Sequence, residues 1–103
     1  MPESVPESVP ESVPDADPRL DESFADAAAA ATSLSRDPGN EVKLRLYALY
    51  KQATAGDVRG RRPGFIDPVG RAKYHAWSAV SGTAPDDAKR AYVALVSELA
   101  SGA

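Results

Sequence analysis

The sequence predicts an all-α chain, a four-helix bundle preceded by a disordered acidic tail. Three observations carry this. Four stretches repeat apolar residues at helical spacing, glycine and proline punctuate the boundaries between them, and a proline-rich segment of different composition precedes them. At 103 residues the chain has room for one domain and one core. The expected division is a tail over 1–20 and a folded domain over 21–103.

The tail repeats Pro-Glu-Ser-Val at 2–5, 6–9 and 10–13, then continues through Pro14 to Pro18. A proline every fourth residue removes a backbone donor and clashes with the preceding turn, so no helix forms there. Acidic and poor in hydrophobes, the segment is expected to be disordered.

In the first helix Asp21 is a plausible N-cap, and Phe24, Ala27, Ala28, Ala31 and Leu34 follow on one face. Pro38-Gly39 stops it by Asp37. Asn40 can cap the second helix, which runs to about Ala55 with Gly56 as its left-handed stop. At about 100° per residue, Val42, Leu46, Leu49 and Ala53 form its buried stripe. Lys43, Tyr47, Tyr50, Lys51 and Thr54 form a second face with two phenols, two ammonium groups and no carboxylate. Such a face suits an anion that carries an aromatic or apolar part.

Residues 57–67 hold three arginines, Pro63 and two glycines, with Phe65 and Ile66 expected as anchors. Asp67-Pro68 then signals a helix start, a capping acid followed by proline at the first helical position. This third helix should run to about Ser81, burying Val69, Ala72, Ala76, Trp77 and Val80, with Lys73 near the middle of that face. A lysine there either snorkels to water or holds an anion at a pocket rim. Thr83-Ala84-Pro85-Asp86 resembles a capping box for the last helix, whose stripe is Ala88, Tyr92, Leu95 and Leu99 and which fades near Ser101.

Composition excludes several classes of chemistry. With no cysteine and one histidine, disulfides, thiol nucleophiles and zinc-thiolate or histidine-rich metal sites are ruled out. The N-terminus shows no basic region followed by an apolar run, and no stretch approaches membrane-span length, so the expected location is the cytoplasm. The net charge of -3 conceals an asymmetry, with residues 1–22 at -6 and residues 23–103 at +3. No catalytic set is evident. Ser78 can share a side with His75 but no orienting acid accompanies them, and helix capping accounts for Asp86-Asp87. The modest basic excess lacks the spacing of a nucleic-acid reader.

One block is specific: Tyr47-Ala-Leu-Tyr50-Lys51-Gln52-Ala53-Thr54-Ala55-Gly56-Asp57. It is followed by Arg62-Pro63-Gly64-Phe65, by Gly70-Arg71-Ala72-Lys73-Tyr74-His75-Ala76-Trp77, and by Gly82-Thr83 with Ala91-Tyr92. On these blocks, from about Phe24 to Ser97, the chain resembles the acyl-coenzyme A (acyl-CoA) binding protein family. The resemblance implies an up-down-down-up four-helix bundle with a bowl-shaped site for medium- to long-chain acyl-CoA esters. It also implies a monomer that binds without catalysis, cofactor, nucleic acid or stable membrane insertion, as an intracellular carrier and pool former.

The resemblance places Tyr47, Lys51 and Lys73 at the ribose 3′-phosphate and Tyr50 at the adenine. Tyr92 also contacts the ligand, Leu44 belongs to the ligand-binding set, and Ala27, Ala28 and Thr32 face the nucleotide. Thr32 stands where relatives often carry a basic residue, Lys43 where a methionine lines the acyl route, and Tyr74 where tryptophan is common. The alternative reading is a small helical adaptor whose basic face binds an acidic peptide or nucleic acid.

Overall fold

The computed structural model describes residues 18–101. The Pro-Glu-Ser-Val repeats lie outside the described residues. Four helices follow one another: α1 Pro18–Ala31, α2 Asn40–Ala55, α3 Pro68–Ser78 and α4 Pro85–Ser101. No strand occurs among the described residues. The all-α, four-helix expectation is met.

Contacts between the helices give their directions. Asp21 reaches Lys89 and Phe24 reaches Tyr92 in the same register, so α1 and α4 run parallel. Phe24 also meets Tyr50, whereas Ala31 and Thr32 border Lys43 and Leu46, so α2 returns antiparallel to α1. Lys43, Leu44 and Tyr47 border Val69, Ala72 and Lys73, and Lys51 meets Trp77, so α3 runs parallel to α2. The order is up-down-down-up. In it α4 packs on both α1 and α2, while α3 packs on α2.

The core is built from Phe24 and Ala27 of α1, Leu49 and Ala53 of α2, and Ala88, Tyr92 and Val96 of α4. Alanines at three of the seven places let the helices approach closely. The buried arc of α2 is wider than one stripe. Ala48 and Gln52 are buried, while Val42 and Leu46 are half-buried, because α2 has neighbours on several sides. On α4 the deepest positions are Ala88, Tyr92 and Val96, with Leu95 and Leu99 toward the edges. No residue of α3 is fully buried, since that helix has one packing partner.

Several expectations at the boundaries need correction. Asp21 is not an N-cap. The helix opens at Pro18, placing Asp21 in its first turn, where the carboxylate accepts from Lys89 at 2.7 Å. Helix α1 ends earlier than expected, at Ala31. The Thr32 and Ser33 amides close tight turns on Ala29 and Ala30, and the Thr32 hydroxyl also donates to the Ala29 carbonyl at 2.8 Å. Gly39, not Asn40, is the cap of α2, and the preceding loop is held by Asp37, which accepts from the Gly39 amide and from Lys43. Helix α3 stops at Ser78, three residues early, and residues 79–83 continue as successive tight turns.

The capping box before α4 is replaced by other pairings. The Thr83 carbonyl accepts from Gln52, and Asp86 lies 3.6 Å from Lys89. Phe65 and Ile66 are not anchors: they are 86% and 97% exposed.

Two signals read from the sequence mark helix ends where expected. Asp67 caps α3 by accepting from the Gly70 amide at 2.9 Å with Pro68 in the first turn. A Cβ on Gly70 would press on that carboxylate, so a larger residue there would displace the Asp67 cap. Gly56 ends α2 at φ 85 and ψ -154, a positive φ that other residues rarely adopt but outside the left-handed helical region expected for it.

A polar knot fixes the ends of the bundle. The Gln52 amide is 1% exposed, and its Nε2 donates to Asp57 Oδ1 at 2.7 Å and to the Thr83 carbonyl at 2.8 Å. The same Asp57 oxygen accepts from the Gly82 amide at 2.8 Å. Truncating Gln52 removes the side-chain donor from the Thr83 carbonyl and leaves Asp57 with the Gly82 amide alone. Gln52→Ala should therefore destabilise the domain by about 2–4 kcal/mol in urea denaturation.

The Gly82 amide, then the Gln52 side chain, hold the Asp57 carboxyl below its ordinary value of 3.8, and the Gly39 amide and Lys43 do the same for Asp37. A carboxylate whose folded pKa is depressed contributes stability above its unfolded pKa and loses it as pH falls through the folded one. The thermal midpoint should stay level down to about pH 5 and fall below about pH 4. In Asp57→Asn that acid-side decline should be shallower, as melts across the pH range will show.

Candidate functional site

The parallel run of α2 and α3 sets two aromatic residues beneath two cations. The Lys73 ammonium of α3 lies 5.2 Å from the centroid of the Tyr47 ring on α2. One turn further along, the arrangement is reversed: the Lys51 ammonium of α2 lies 4.9 Å from the Trp77 ring of α3. Among the described residues neither ammonium has a carboxylate partner. Each is held by the weaker attraction of a ring face.

Trp77 is fixed in turn. Its indole N–H donates to the Gly56 carbonyl at 2.8 Å, joining the end of α2 to α3. Tyr74 adds a second tether, its hydroxyl donating to the Gly60 carbonyl at 3.3 Å.

Tyr47 and Lys73 border a concavity of about 390 Å³ that also includes Asn40, Lys43, Leu44, Pro68, Val69 and Ala72. Its wall is mainly apolar, with cations at the rim. That combination suits an amphiphilic anion, and the volume lies in the range of small-molecule sites. A larger groove of about 810 Å³ runs on the opposite side of the α2–α3 pair and shares Leu44 and Ala72 with the first. It contains Glu41, Arg45 and His75 but neither Tyr47 nor Lys73. The smaller concavity is therefore the one bordered by Lys73, with Lys51 one turn further along the same seam.

The remaining residues predicted for the site lie toward α1 and α4. Tyr50 is 42% exposed and stacks on Phe24 at 5.5 Å, while Tyr92 meets Phe24 edge-on at 5.1 Å and lies 6.0 Å from Tyr50. Burial and then the neighbouring Tyr50 push the Tyr92 phenol above its ordinary value. Ala28 packs half-buried beside this cluster. Thr32 is exposed at the end of α1, beside a shallow concavity of about 330 Å³ that shares Lys43 with the α2–α3 site.

The structure thus gathers Leu44, Tyr47, Lys51 and Lys73 along one seam. Ala28, Thr32, Tyr50 and Tyr92 fall on the other flank of α2. Lys43 borders both sides, although its ammonium is engaged by Asp37 at 3.1 Å. Sequence reasoning missed Phe24 as the support of Tyr50 and Trp77 as the support of Lys51. Both were read as ordinary core positions, and only the parallel packing of α2 on α3 reveals that Trp77 lies beneath a cation. It also missed Val69 and Pro68 as lining residues.

Among the described residues no group of histidine and carboxylate side chains could hold a metal ion, and no helix is long and apolar enough to cross a membrane.

The family model for acyl-CoA-binding protein matches residues 21–96. Acyl-CoA-binding protein homolog 1 of Caenorhabditis elegans is 52% identical over 77 residues, covering 75% of this chain and 90% of that protein. Enoyl-CoA delta isomerase 2 of Rattus norvegicus is 49% identical over 80 residues, covering 78% of this chain but only 20% of the isomerase. The crystal structure of Oryza sativa acyl-CoA-binding protein 2 superimposes with a TM-score of 0.76 at 42% identity, covering 79% of this chain and 88% of that one. With the family pattern spanning all four helices and the fold shared, the chain belongs to the acyl-CoA-binding protein family.

Proposed function

We propose that the chain binds acyl-CoA esters without chemical change and acts as a carrier and pool former for medium- and long-chain esters. The observation that carries this reading is the pair Lys73 and Lys51, without carboxylate partners among the described residues: Lys73 rests on Tyr47 at an apolar concavity, and Lys51 rests on Trp77 one turn further along the same seam. In this reading Tyr47, Lys51 and Lys73 receive the ribose 3′-phosphate. Tyr50, supported by Phe24, offers a ring face to the adenine, and Tyr92 lies at its edge. Ala28 and Thr32 border the nucleotide, and Leu44 belongs to the acyl side with Ala72 and Val69. Only the isomerase's small matching part is shared with this chain, so its isomerase activity is not carried over.

The energetics favour an ester over either of its halves. A charge-assisted hydrogen bond is worth roughly 1.5–3 kcal/mol, and each fully buried methylene adds about 0.8 kcal/mol. Free coenzyme A keeps the first contribution and free fatty acid the second. Calorimetric titration with palmitoyl-CoA, coenzyme A and palmitate in parallel should show tight one-to-one binding of the ester alone. Affinity should rise with acyl length until the concavity is filled. Equal binding of short and long esters, or of coenzyme A and its ester, would reject the reading.

Lys51→Ala and Lys73→Ala should each weaken ester binding by roughly tenfold or more. Their thermal midpoints should stay near the parent value, because neither side chain belongs to the core. Loss of binding together with loss of fold would show that the lysines act structurally.

A further inference from the structure

The link between α2 and α3 turns at Phe65-Ile66, and neither side chain packs into the core. They are 86% and 97% exposed, and Val69, in the first turn of α3, is 65% exposed. Scattered exposed hydrophobes are ordinary, but three large ones within five residues at one tip are not.

Their surroundings are cationic. Arg61 and Arg62 are exposed in the same link, whereas Arg59 donates to the Ala55 carbonyl at the end of α2. The Arg71 guanidinium lies 5.2 Å from the Phe65 ring centroid. The carboxylates of this region, Asp57 and Asp67, are already engaged. Asp57 accepts from Gly82 and Gln52, and Asp67 caps α3 through Gly70.

We propose that this tip docks on an anionic lipid bilayer. Phe65, Ile66 and Val69 enter the interfacial layer, and Arg61, Arg62 and Arg71 lie among the headgroup phosphates. Planar guanidinium groups suit phosphate, and cations beside an apolar insertion give the two attractions that peripheral attachment needs. A bilayer fits better than a peptide because Phe65 and Ile66 project almost fully into solvent, without the walls of a groove. Val69 also lines the α2–α3 concavity, so docking brings the mouth of that site to the lipid surface. This last consequence rests on the proposed ligand. The docking itself does not.

The test is flotation of the full chain, without acyl-CoA, on vesicles of phosphatidylcholine alone and of phosphatidylcholine with phosphatidylserine. Binding is expected on the anionic vesicles and should weaken with added salt. Phe65→Ser combined with Ile66→Ser should lower partitioning by roughly tenfold or more. Arg61→Gln combined with Arg62→Gln should lower it by roughly fivefold per charge removed. Both variants alter exposed side chains, so their thermal midpoints should match the parent. Absence of binding to anionic vesicles at low salt, equal binding to neutral ones, or undiminished binding of the serine variant would each overturn the proposal. Palmitoyl-CoA titration of the same variants separates the two readings. Lost flotation with retained ester affinity assigns the tip to docking alone, and flotation by a chain that binds no ester rejects the ligand reading while docking stands.

Discussion

The buried amide of Gln52 is the constraint on which the rest of the arrangement depends. It sits in α2 with its Nε2 between the Asp57 carboxylate and the Thr83 carbonyl, and Asp57 also takes the Gly82 amide. One side chain therefore ties the end of α2 to the link before α3 and to the turn before α4. A buried amide is costly unless it is hydrogen-bonded. Arrangements that slide α2 along α4, or swing the turn at Gly82 away, would leave it unpaired. The Gln52 knot therefore fixes α2 against both turns.

Helix α3 is held in a different way. With no fully buried residue, α3 contributes little to the core and is fixed at defined points. The Asp67 carboxylate caps its start, the Trp77 indole binds the Gly56 carbonyl near its end, and the Tyr74 hydroxyl reaches the link. Polar tethers leave the seam between α2 and α3 open where continuous side-chain packing would have closed it. The concavity with Tyr47 and Lys73 is that open seam.

The sequence made the helices legible because their apolar repeat and their Pro-Gly, Gly56 and Asp67-Pro68 punctuation are local. It did not show where α1 begins, because a proline-rich lead-in and a helix opened by Pro18 look alike until the helix has a partner. Val96 was missed as a core residue, and Phe65 with Ile66 was misread as an anchor, for one reason. Hydrophobicity says that a side chain can be buried, whereas burial depends on whether another helix arrives there. At the site, Tyr47, Tyr50 and Lys51 were visible as an acid-free aromatic face, and Lys73 as an anomaly. Their division between the two flanks of α2, with supports from Trp77 and Phe24, depends on helix direction, which no local pattern encodes.

The contrast among three lysines shows how the site is prepared for an anion. Lys43 pairs with Asp37, whose carboxyl is held low chiefly by the Gly39 amide and further by Lys43 itself. For Lys43 to meet a phosphate, that pair must first open. Lys51 and Lys73 rest on ring faces instead, and at exposed positions such contacts are worth about 0.5–1 kcal/mol. A phosphate offers each ammonium a charge-assisted hydrogen bond of about 1.5–3 kcal/mol. The exchange is therefore favourable at both positions. Meanwhile the rings limit where the ammonium groups wander, so less side-chain freedom is lost on binding. Aromatic rests restrain the cations without neutralising them, which a carboxylate in either place could not do.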